Sequence, residues 1–290
     1  MTSPDDTVHR GIYARQILAK AGVQQDARLE KAFATVRREN FVGSPPWLFS
    51  DFNQYKELAS SDPVILYQDL LVSLNADRHV NNGMPSLHAN ALHRLGIREG
   101  ETVVHLGAGT GYYTAIIAEL VGPSGKVIGV EYDGALVERA DKALAGYENA
   151  VVIHGDALQW VSTGDEADVI YANFALDHPP APWIDNLATG GRLLFPFGVP
   201  VVDKSRSFSR WAAFLMIDRR PRGFGARFLA PVSFIWAEGQ EPAPDGRHAA
   251  LAEAFKNRGL SRVRSFRWRT PPTGEEWYGE DGWGLSFDEA

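Results

Sequence analysis

The chain has 290 residues, 44% of them hydrophobic and 22% charged, a composition typical of a globular protein with room for one large domain and an extension. Its net charge of −7 argues against binding to nucleic-acid phosphates, and its lack of cysteine excludes disulfides, thiolate nucleophiles and cysteine metal sites. The first ten residues resemble no secretory signal, and no apolar run reaches the roughly 18 residues of a membrane span. We therefore expect a cytoplasmic protein with no nucleic-acid partner, no membrane partner and no metal site.

The N-terminal part of the chain is predicted to be mainly helical. Apolar residues recur at helical spacing over residues 9–40 and again over residues 84–95. Between these segments, Pro45 and Pro46 predict a loop over residues 43–54.

From residue 101 the pattern alternates between strand and helix. This order is typical of a parallel sheet with helices on both faces. The predicted strands span residues 102–107, 126–131, 150–156, 167–173 and 190–198, and the predicted helices span residues 112–122 and 134–147. Two further apolar runs, 210–218 and 226–236, predict an antiparallel hairpin at the sheet edge. The tail predicts one helix over residues 248–258 and then a less regular, tryptophan-containing segment.

A glycine-rich turn lies between the first of these strands and the following helix. Gly107, Gly109 and Gly111 allow the backbone to approach a ligand closely, and the helix N-terminus offers free N–H groups. A dinucleotide-binding loop would have glycine where this chain has Tyr112, so NAD is disfavoured. Because the turn lacks lysine and arginine, it suits a ligand without phosphates.

Two acidic residues at strand ends favour one such ligand. Glu131 ends the second strand, where its carboxylate can accept hydrogen bonds from both ribose hydroxyls, and Asp156 ends the third, where it can accept from an adenine amino group. This order suits S-adenosylmethionine. The alternative is a strand–turn–helix that merely needs glycine, followed by two solvated acids. The predicted cofactor-binding residues are Met84, Pro85, His88, Gly107, Ala108, Gly109, Thr110, Gly111, Tyr112, Glu131, Tyr132, Gly155, Asp156, Ala157 and Asn173.

Segments around this loop share their order with one known family. They are LEKAFATVRRENFV (29–42), YQD (67–69), GMPSLHANAL (83–92), the stretch 103–131 and LATGGRLLFPFG (187–198). Over roughly residues 10–235 the chain resembles the protein-L-isoaspartate (D-aspartate) O-methyltransferases, as a divergent member. The resemblance implies the Rossmann-like class I methyltransferase fold, a mostly parallel seven-stranded α/β sheet with helices on both faces and an antiparallel edge hairpin. It also implies S-adenosyl-L-homocysteine as a product.

The resemblance also suggests a division of the chain. Residues 1–95 would form a helical segment with the substrate and cofactor loop, residues 96–238 the cofactor-binding core, and residues 239–290 a Trp-rich C-terminal extension. An insertion around residues 43–66 and the tail depart from the family's pattern.

One departure falls in the substrate loop itself. The family's serine before x-Pro, which is thought to help hold the substrate carboxylate, corresponds to Gly83. Restoring it as Gly83→Ser would then raise weak activity on an isoaspartyl peptide. Asn82 and Asn173 are the favoured replacement donors, although the NNG segment also has the composition of a simple turn. His178, just after the fourth strand, is a candidate base or a loop residue bonded to backbone.

The predicted catalytic residues are therefore Asn82, Gly83, Asn173 and His178. The first interpretation is an S-adenosylmethionine-dependent O-methyltransferase that acts on a carboxylate, of isoaspartyl or aspartyl type or another acid, in a peptide, protein or small molecule. Such an acceptor is already ionised near neutral pH and needs no base. The alternatives are methylation of a hydroxyl or amine with His178 as base, and a non-catalytic cofactor-binding module.

Overall fold

The computed structural model describes residues 4–52, 54–162, 164, 166–200, 211–238, 246–257 and 259–290. These residues form two compact units, 1–157 and 158–290. The domain boundaries expected from the sequence remain a prediction, and the boundary at residue 239 lies outside the described residues. Arg210 of the predicted hairpin and Arg258 of the predicted tail helix also lie outside them. Within the described ranges, no helix is long and apolar enough to cross a bilayer.

The first unit begins with the predicted helical segment, which is divided into α1 (Pro4–Lys20), α2 (Ala27–Thr35) and a 3₁₀ turn (Arg38–Phe41). Asp26 begins α2, because its carboxylate accepts a hydrogen bond from the Leu29 N–H, which would otherwise lack a partner at the helix start. Leu29, Ala32 and Phe33 are the buried face of this helix, in agreement with the helical spacing.

A small antiparallel sheet follows, and its first strand falls within the predicted loop. Its strands are β1 (Leu48–Ser50), β2 (Tyr55–Glu57), β3 (Leu71–Asn75) and β4 (Val80–Asn81), in the order β2-β1-β3-β4. The predicted loop over residues 43–54 is therefore wrong at β1. Strands of three residues are too short to show alternation, and this sheet is stabilised by a buried cluster of Val42, Trp47, Leu58, Leu66 and Val72.

The rest of the first unit matches the predicted elements. It consists of α3 (Pro85–Leu95), β5 (Thr102–Leu106), α4 (Tyr112–Val121), β6 (Lys126–Glu131), α5 (Gly134–Ala143) and β7 (Ala150–His154). β6 lies between β5 and β7, and all three strands are parallel. Gly122 ends α4 with a φ of +64°, as expected for a helix closed by glycine.

The second unit contains β8 (Ala167–Ala172), α6 (Ala181–Asp185), β9 (Leu187–Gly198), β10 (Ala212–Arg219), β11 (Phe224–Pro231), α7 (Arg247–Lys256), β12 (Ser265–Trp268), β13 (Glu276–Glu280) and β14 (Trp283–Ser286). Its strand order is β8-β9-β10-β11-β12-β14-β13. β8 and β9 are parallel, and the remaining neighbours are antiparallel.

The predicted hairpin forms as β10 and β11, but it is not an edge. β12 pairs with β11 through Phe224↔Phe266 and Gly225↔Ser265, and the tail thereby extends the sheet of this unit. The expectation of a less regular tail is wrong, since the tail forms three strands. No strand pattern was visible in the sequence because these strands are short and separated by Gly and Pro. Aromatic packing holds them: the ring centroid of Trp277 lies 5.0 Å from that of Phe228 and 5.2 Å from that of Phe255.

Candidate functional site

The glycine-rich turn joins β5 to α4 in a conformation that other residues rarely adopt. Gly107, Gly109 and Gly111 have φ angles of +74°, +56° and +88°. A Cβ atom on Gly111 would also lie 2.9 Å from the side chain of Leu144. The turn therefore requires glycine for both conformation and space, and its backbone is open to close approach by a ligand.

Glu131, at the end of β6, holds this turn. Its Oε2 accepts from the Gly109 N–H (2.8 Å) and its Oε1 accepts from the Asp133 N–H (2.9 Å). Burial raises the pKa of Glu131, and the backbone hydrogen bonds from Asp133 and Gly109 oppose that rise. Since each carboxylate oxygen can accept more than one hydrogen bond, both keep capacity for the hydroxyls of a bound ribose.

The predicted adenine side lies at the end of the neighbouring strand. β6 and β7 are in parallel register, with Glu131 opposite His154. Asp156 is exposed two residues later, and Tyr132 is 58% exposed. The Gly155 N–H donates to the carbonyl of Glu131 (2.9 Å), which fixes the segment before Asp156, while Ala157 is buried. The ribose and adenine acids thus lie at adjacent strand ends, as the sequence predicts.

Some predicted cofactor residues have side chains that are already engaged elsewhere. The Tyr112 hydroxyl is buried and lies 3.2 Å from that of Tyr13, and the Thr110 hydroxyl donates to the carbonyl of Phe41. Ala108 is also buried. The predicted cofactor contact of Tyr112 and Thr110 therefore stays a prediction, and it would be made by their backbone groups.

The predicted acceptor loop joins β4 to α3 and is held by side chains on both sides. Asp69 accepts from the backbone N–H and the hydroxyl of Ser86, at 2.8 and 2.7 Å, and so fixes the first turn of α3. Pro85 occupies the first position of that helix, where its missing N–H costs nothing, and Met84 precedes it as the N-terminal cap. Before the helix, the Asn81 Oδ1 accepts from the Gly83 N–H (2.9 Å).

Gly83 itself has a φ of +72° and leaves no space for a side chain. A Cβ atom there would lie 2.1 Å from Nε2 of His88. His88 is buried and stacks on Tyr113 with ring centroids 3.7 Å apart, and burial lowers its pKa well below the usual value. The neutral imidazole of His88 therefore occupies the volume that a residue-83 side chain would need.

Arg38 is a buried cation beside the acceptor loop that the sequence motifs did not indicate. It is fully buried, and its guanidinium donates to the carbonyl oxygens of Leu66, Gln68 and Leu70 at 2.6–2.8 Å. A fourth bond, of 3.1 Å, goes to Oδ1 of Asn82. All four acceptors are uncharged. Its only sequence signal was its place in the Arg-x-x-Phe-Val segment, which gives no indication of these partners.

Asn82 is buried directly against Arg38. Its Oδ1 also accepts from the Val72 N–H (3.3 Å), and its own N–H donates to the Val72 carbonyl (2.9 Å). Since Oδ1 faces two donors, the orientation of the amide is fixed. Its Nδ2 is buried without a hydrogen-bond acceptor among the described residues. An orphaned buried donor is rare in proteins and calls for a ligand or another explanation.

In the second unit, the structure joins His178 to the adjacent Asp177 and, through that carboxylate, to His248 on α7. Asp177 is buried, and its two carboxylate oxygens accept from His178 Nδ1 (2.6 Å) and from His248 Nε2 (2.9 Å). Arg247, which precedes His248 on α7, lies 3.7 Å from the same carboxylate and 2.8 Å from Glu280. Burial raises the pKa of Asp177, but the histidine hydrogen bonds outweigh it and the pKa is lowered.

The loop that carries His178 is held by backbone pairing. It follows β8 at Asn173, which is half-buried, and pairs at Leu176 with Phe197 and at Ala175 with Trp236. Asn173 and His178 belong to the second unit, whereas the other predicted site residues belong to the first.

A comparison with protein families identifies the chain. The model of the protein-L-isoaspartate(D-aspartate) O-methyltransferase family matches residues 15–212. The chain belongs to this family. A relative from Thermotoga maritima, named protein-L-isoaspartate O-methyltransferase, is 31% identical over 255 residues, which are 86% of this chain and 73% of the relative. One of the same name from Korarchaeum cryptofilum is 28% identical over 234 residues, 77% of this chain and 94% of the relative.

Solved structures of the family share the fold. A protein-L-isoaspartate O-methyltransferase aligns with a TM-score of 0.64 at 24% identity, over 89% of this chain and 72% of that one. A putative enzyme of the family from Plasmodium falciparum, in complex with S-adenosyl-L-homocysteine, aligns with a TM-score of 0.60 at 19% identity, over 80% and 99%. The predicted class I fold, cofactor and enzyme class are confirmed: the chain is an S-adenosylmethionine-dependent O-methyltransferase.

Proposed function

We propose that the enzyme methylates the side-chain carboxylate of an isoaspartyl residue, or of a closely related acidic residue, in a peptide or protein. The names of its relatives support this acceptor. The observation that carries the proposal is the buried Nδ2 of Asn82, a donor without an acceptor among the described residues. A carboxylate bound at this loop would complete it.

The charge beneath Asn82 favours an anionic acceptor over a neutral one. Arg38 donates to Oδ1 of Asn82, so its positive charge polarises the amide whose Nδ2 remains free to donate. None of the hydrogen bonds described for Arg38 goes to a carboxylate, so this charge has no counter-ion in direct contact among the residues that the structure describes. An acceptor carboxylate bound to Nδ2 would place a negative charge near Arg38, with only the Asn82 amide between the two charged groups.

The chemistry then needs little more than alignment. When bound, S-adenosylmethionine supplies an electrophilic methyl group on a positively charged sulfur. A carboxylate, with an ordinary pKa of about 4, is already ionised at neutral pH and needs no base. One carboxylate oxygen forms the new bond to the methyl carbon as the carbon–sulfur bond breaks, and the products are a neutral ester and a neutral thioether. The residues of this chain have to hold the carboxylate through Asn82 and exclude water from the reacting groups.

The first experiment offers labelled S-adenosylmethionine with an isoaspartyl peptide, and with the same peptide carrying normal aspartate as the matched control. We expect label on the isoaspartyl peptide, released as methanol by mild base. Label on neither peptide contradicts the proposal and leads to a screen of small carboxylic acids. Base-stable label on a hydroxyl or amine contradicts it as well.

Variants of Asn82 test the observation itself. Asn82→Ala removes the donor and should lower kcat/KM roughly a hundredfold, as for other lost donors in active sites. Asn82→Asp keeps the shape of the side chain but places a negative charge beside the acceptor. The kcat/KM for a carboxylate acceptor should therefore fall further in Asn82→Asp than in Asn82→Ala. The control is Asn90→Ala, which removes an α3 amide bonded to the Ala21 carbonyl (2.9 Å). Equal activity of all three variants would contradict the role of Asn82.

A hydroxyl or amine acceptor is the second candidate, supported by the Asp177–His178 pair. Because Nδ1 of His178 faces the carboxylate at 2.6 Å, its Nε2 is left as the proton acceptor, an arrangement typical of a general base. His178 also follows the carboxyl end of β8, the edge at which open α/β sheets bind ligands. This candidate predicts a rate that rises from neutral to alkaline pH and is lost in His178→Ala. A carboxylate acceptor predicts no such dependence.

A further inference from the structure

The β3–β4 hairpin (71–81) is attached at its tip to the start of α5 by an ion pair. Arg78 lies in the turn of the hairpin, and its guanidinium donates to Oδ2 of Asp133, the residue that precedes α5. The other oxygen of the same carboxylate, Oδ1, accepts from the Ala135 N–H (2.9 Å) and caps the helix. Only 15% of the Asp133 side chain is exposed, so the pair is partly shielded from solvent and salt.

A second arginine fixes the strand of this hairpin against α5. Arg139, on α5, donates through Nη1 to the carbonyl of Leu74 on β3 (2.9 Å). Burial lowers the pKa of Arg139, and the charge of Asp133 opposes that effect. Because Arg139 holds the strand, the loss of Arg78 would free the tip without detaching the whole hairpin from α5.

The β3–β4 hairpin lies directly beside the glycine-rich turn. The Leu74 side chain comes within 3.3 Å of the position that a Cβ atom on Gly109 would take. At the tip, the N–H of Asp133 donates to Oε1 of Glu131 (2.9 Å), whose Oε2 accepts from the Gly109 N–H (2.8 Å). The hairpin therefore reaches the predicted ribose site at two points, through Leu74 and through the pair of Arg78 with Asp133.

We propose that Arg78 is a positioning residue for the cofactor, whose ion pair with Asp133 closes the tip of the β3–β4 hairpin against the ribose-binding end of β6 and slows the release of S-adenosyl-L-homocysteine. When Arg78 exchanges its partner for water, the tip is free to move away from the ribose carboxylate of Glu131. Since product release limits the turnover of many enzymes, such a contact affects more than stability. This inference is independent of the acceptor, but it rests on the predicted position of the ribose at Glu131.

The test measures the dissociation rate of S-adenosyl-L-homocysteine from the full-length enzyme by surface plasmon resonance. Arg78→Gln removes one charge of the pair. Asp133→Asn removes the other charge and keeps the cap of α5, because asparagine caps helices about as well as aspartate does. We expect each variant to release the product about twofold to fivefold faster, the effect of losing a partly exposed ion pair. Arg78→Lys, which keeps the charge, should restore most of the wild-type rate.

The matched control is a second ion pair of the same small sheet. Lys56 lies 2.6 Å from Asp51 in the β1–β2 hairpin, and both side chains are partly exposed. Lys56→Gln should therefore leave the dissociation rate unchanged. The urea midpoints of Arg78→Gln and Lys56→Gln should agree, since both variants lose one surface pair. Faster release that accompanies a lower midpoint in Arg78→Gln alone would indicate general loosening and overturn the proposal.

A double variant separates the ion pair from any other contact of Arg78. On the Asp133→Asn background, Arg78→Gln should accelerate release no further, because the charge that it pairs with is already gone. An unchanged dissociation rate in Arg78→Gln overturns the proposal, as does a fully additive double variant or an equal acceleration in Lys56→Gln. None of these measurements uses an acceptor, so their outcome is independent of the isoaspartyl-peptide assay.

Discussion

At the scale of single residues, the most informative position is Gly83. In the sequence, Gly83 stands where the family has a serine and therefore lacks that hydroxyl. The structure shows that the His88 imidazole fills the space for a side chain, with Nε2 2.1 Å from where a Cβ would lie. The expectation from the sequence that Gly83→Ser alone would raise activity is therefore replaced by an expected loss. A functional serine at this position would need a different residue at 88.

Gly83→Ser should destabilise the enzyme more than an equivalent change elsewhere. Gly22 has the same φ of +72°, but a Cβ atom added there would meet no atom within 4 Å, so Gly22→Ser reports the backbone strain alone, about 1–2 kcal/mol. Gly83→Ser adds a steric clash of roughly 1–3 kcal/mol. Urea unfolding of both variants measures the difference. Equal destabilisation would show that His88 moves aside without cost.

Glu131 carries a second prediction at this scale. Glu131→Ala removes the acceptor for the ribose hydroxyls and the Gly109 N–H, and we expect affinity for S-adenosyl-L-homocysteine to fall by about 1.5–3 kcal/mol, roughly tenfold to a hundredfold or more. The exposed Glu138→Ala on α5 is the matched control. Because burial raises the pKa of Glu131, wild-type affinity should decline with falling pH earlier than for an ordinary glutamate. Calorimetry that shows equal affinities would remove Glu131 from the cofactor site.

At the scale of elements, Arg38 organises the segment that precedes the acceptor loop. It satisfies the carbonyl groups of Leu66, Gln68 and Leu70, which lie 28–32 residues away in the chain. Leu66 ends a second 3₁₀ turn (Pro63–Leu66), and Gln68 and Leu70 lie in the connection from that turn to β3. One buried side chain therefore replaces the hydrogen bonds that regular secondary structure would supply.

Arg38→Met should lower the free energy of unfolding by about 3–5 kcal/mol, because it leaves several buried acceptors unpaired while roughly keeping the volume. Arg15→Met on α1 is the control. Arg15 is 64% exposed and lies 3.9 Å from Glu30, so its loss should cost less than about 1 kcal/mol. Urea unfolding monitored by circular dichroism gives both values. A cost below about 1 kcal/mol for Arg38→Met would mean that water satisfies the carbonyls.

At the scale of the whole chain, the tail is a structural part of the second unit. Its strands β12–β14 extend the sheet of that unit, and Trp283 packs against Phe197 of β9 with ring centroids 6.1 Å apart. The helix α7 contributes Arg247 and His248 to the buried carboxylate of Asp177. The tail therefore supports the loop that carries His178, rather than standing apart from it.

This arrangement predicts how stability depends on pH. The folded pKa of Asp177 is lowered, so its contribution to stability is fully present above the unfolded value of about 3.9 and is lost as pH falls through the lower folded value. Asp177→Asn should therefore be less stable than wild type at pH 7, and the difference should shrink below about pH 4. The control is Glu253→Gln on α7, whose carboxylate is 58% exposed. Thermal unfolding over this pH range measures the difference, and a constant gap would contradict the prediction.

The sequence predicted what depends on local backbone and strand order. The glycine turn was identifiable because positive φ angles at Gly107, Gly109 and Gly111 require that residue type. Glu131 and Asp156 were identifiable because the ends of neighbouring parallel strands meet at one edge. Alternating strands and helices likewise predicted the fold, whereas three-residue strands such as β1 were too short to leave a periodic signal.

Only the tertiary structure determined which side chains meet. Arg38 and Asn82 are 44 residues apart, and Asp177 and His248 are 71 apart. Such partners are chosen by burial, since a buried charge or amide must find a bonding group wherever the fold brings one close. Periodicity and motif spacing do not indicate which partner a buried polar group will meet in the folded chain. The sequence by itself therefore determined the cofactor and the family, whereas packing determined the unpaired donor of Asn82 and placed the His88 imidazole in the volume beside Gly83.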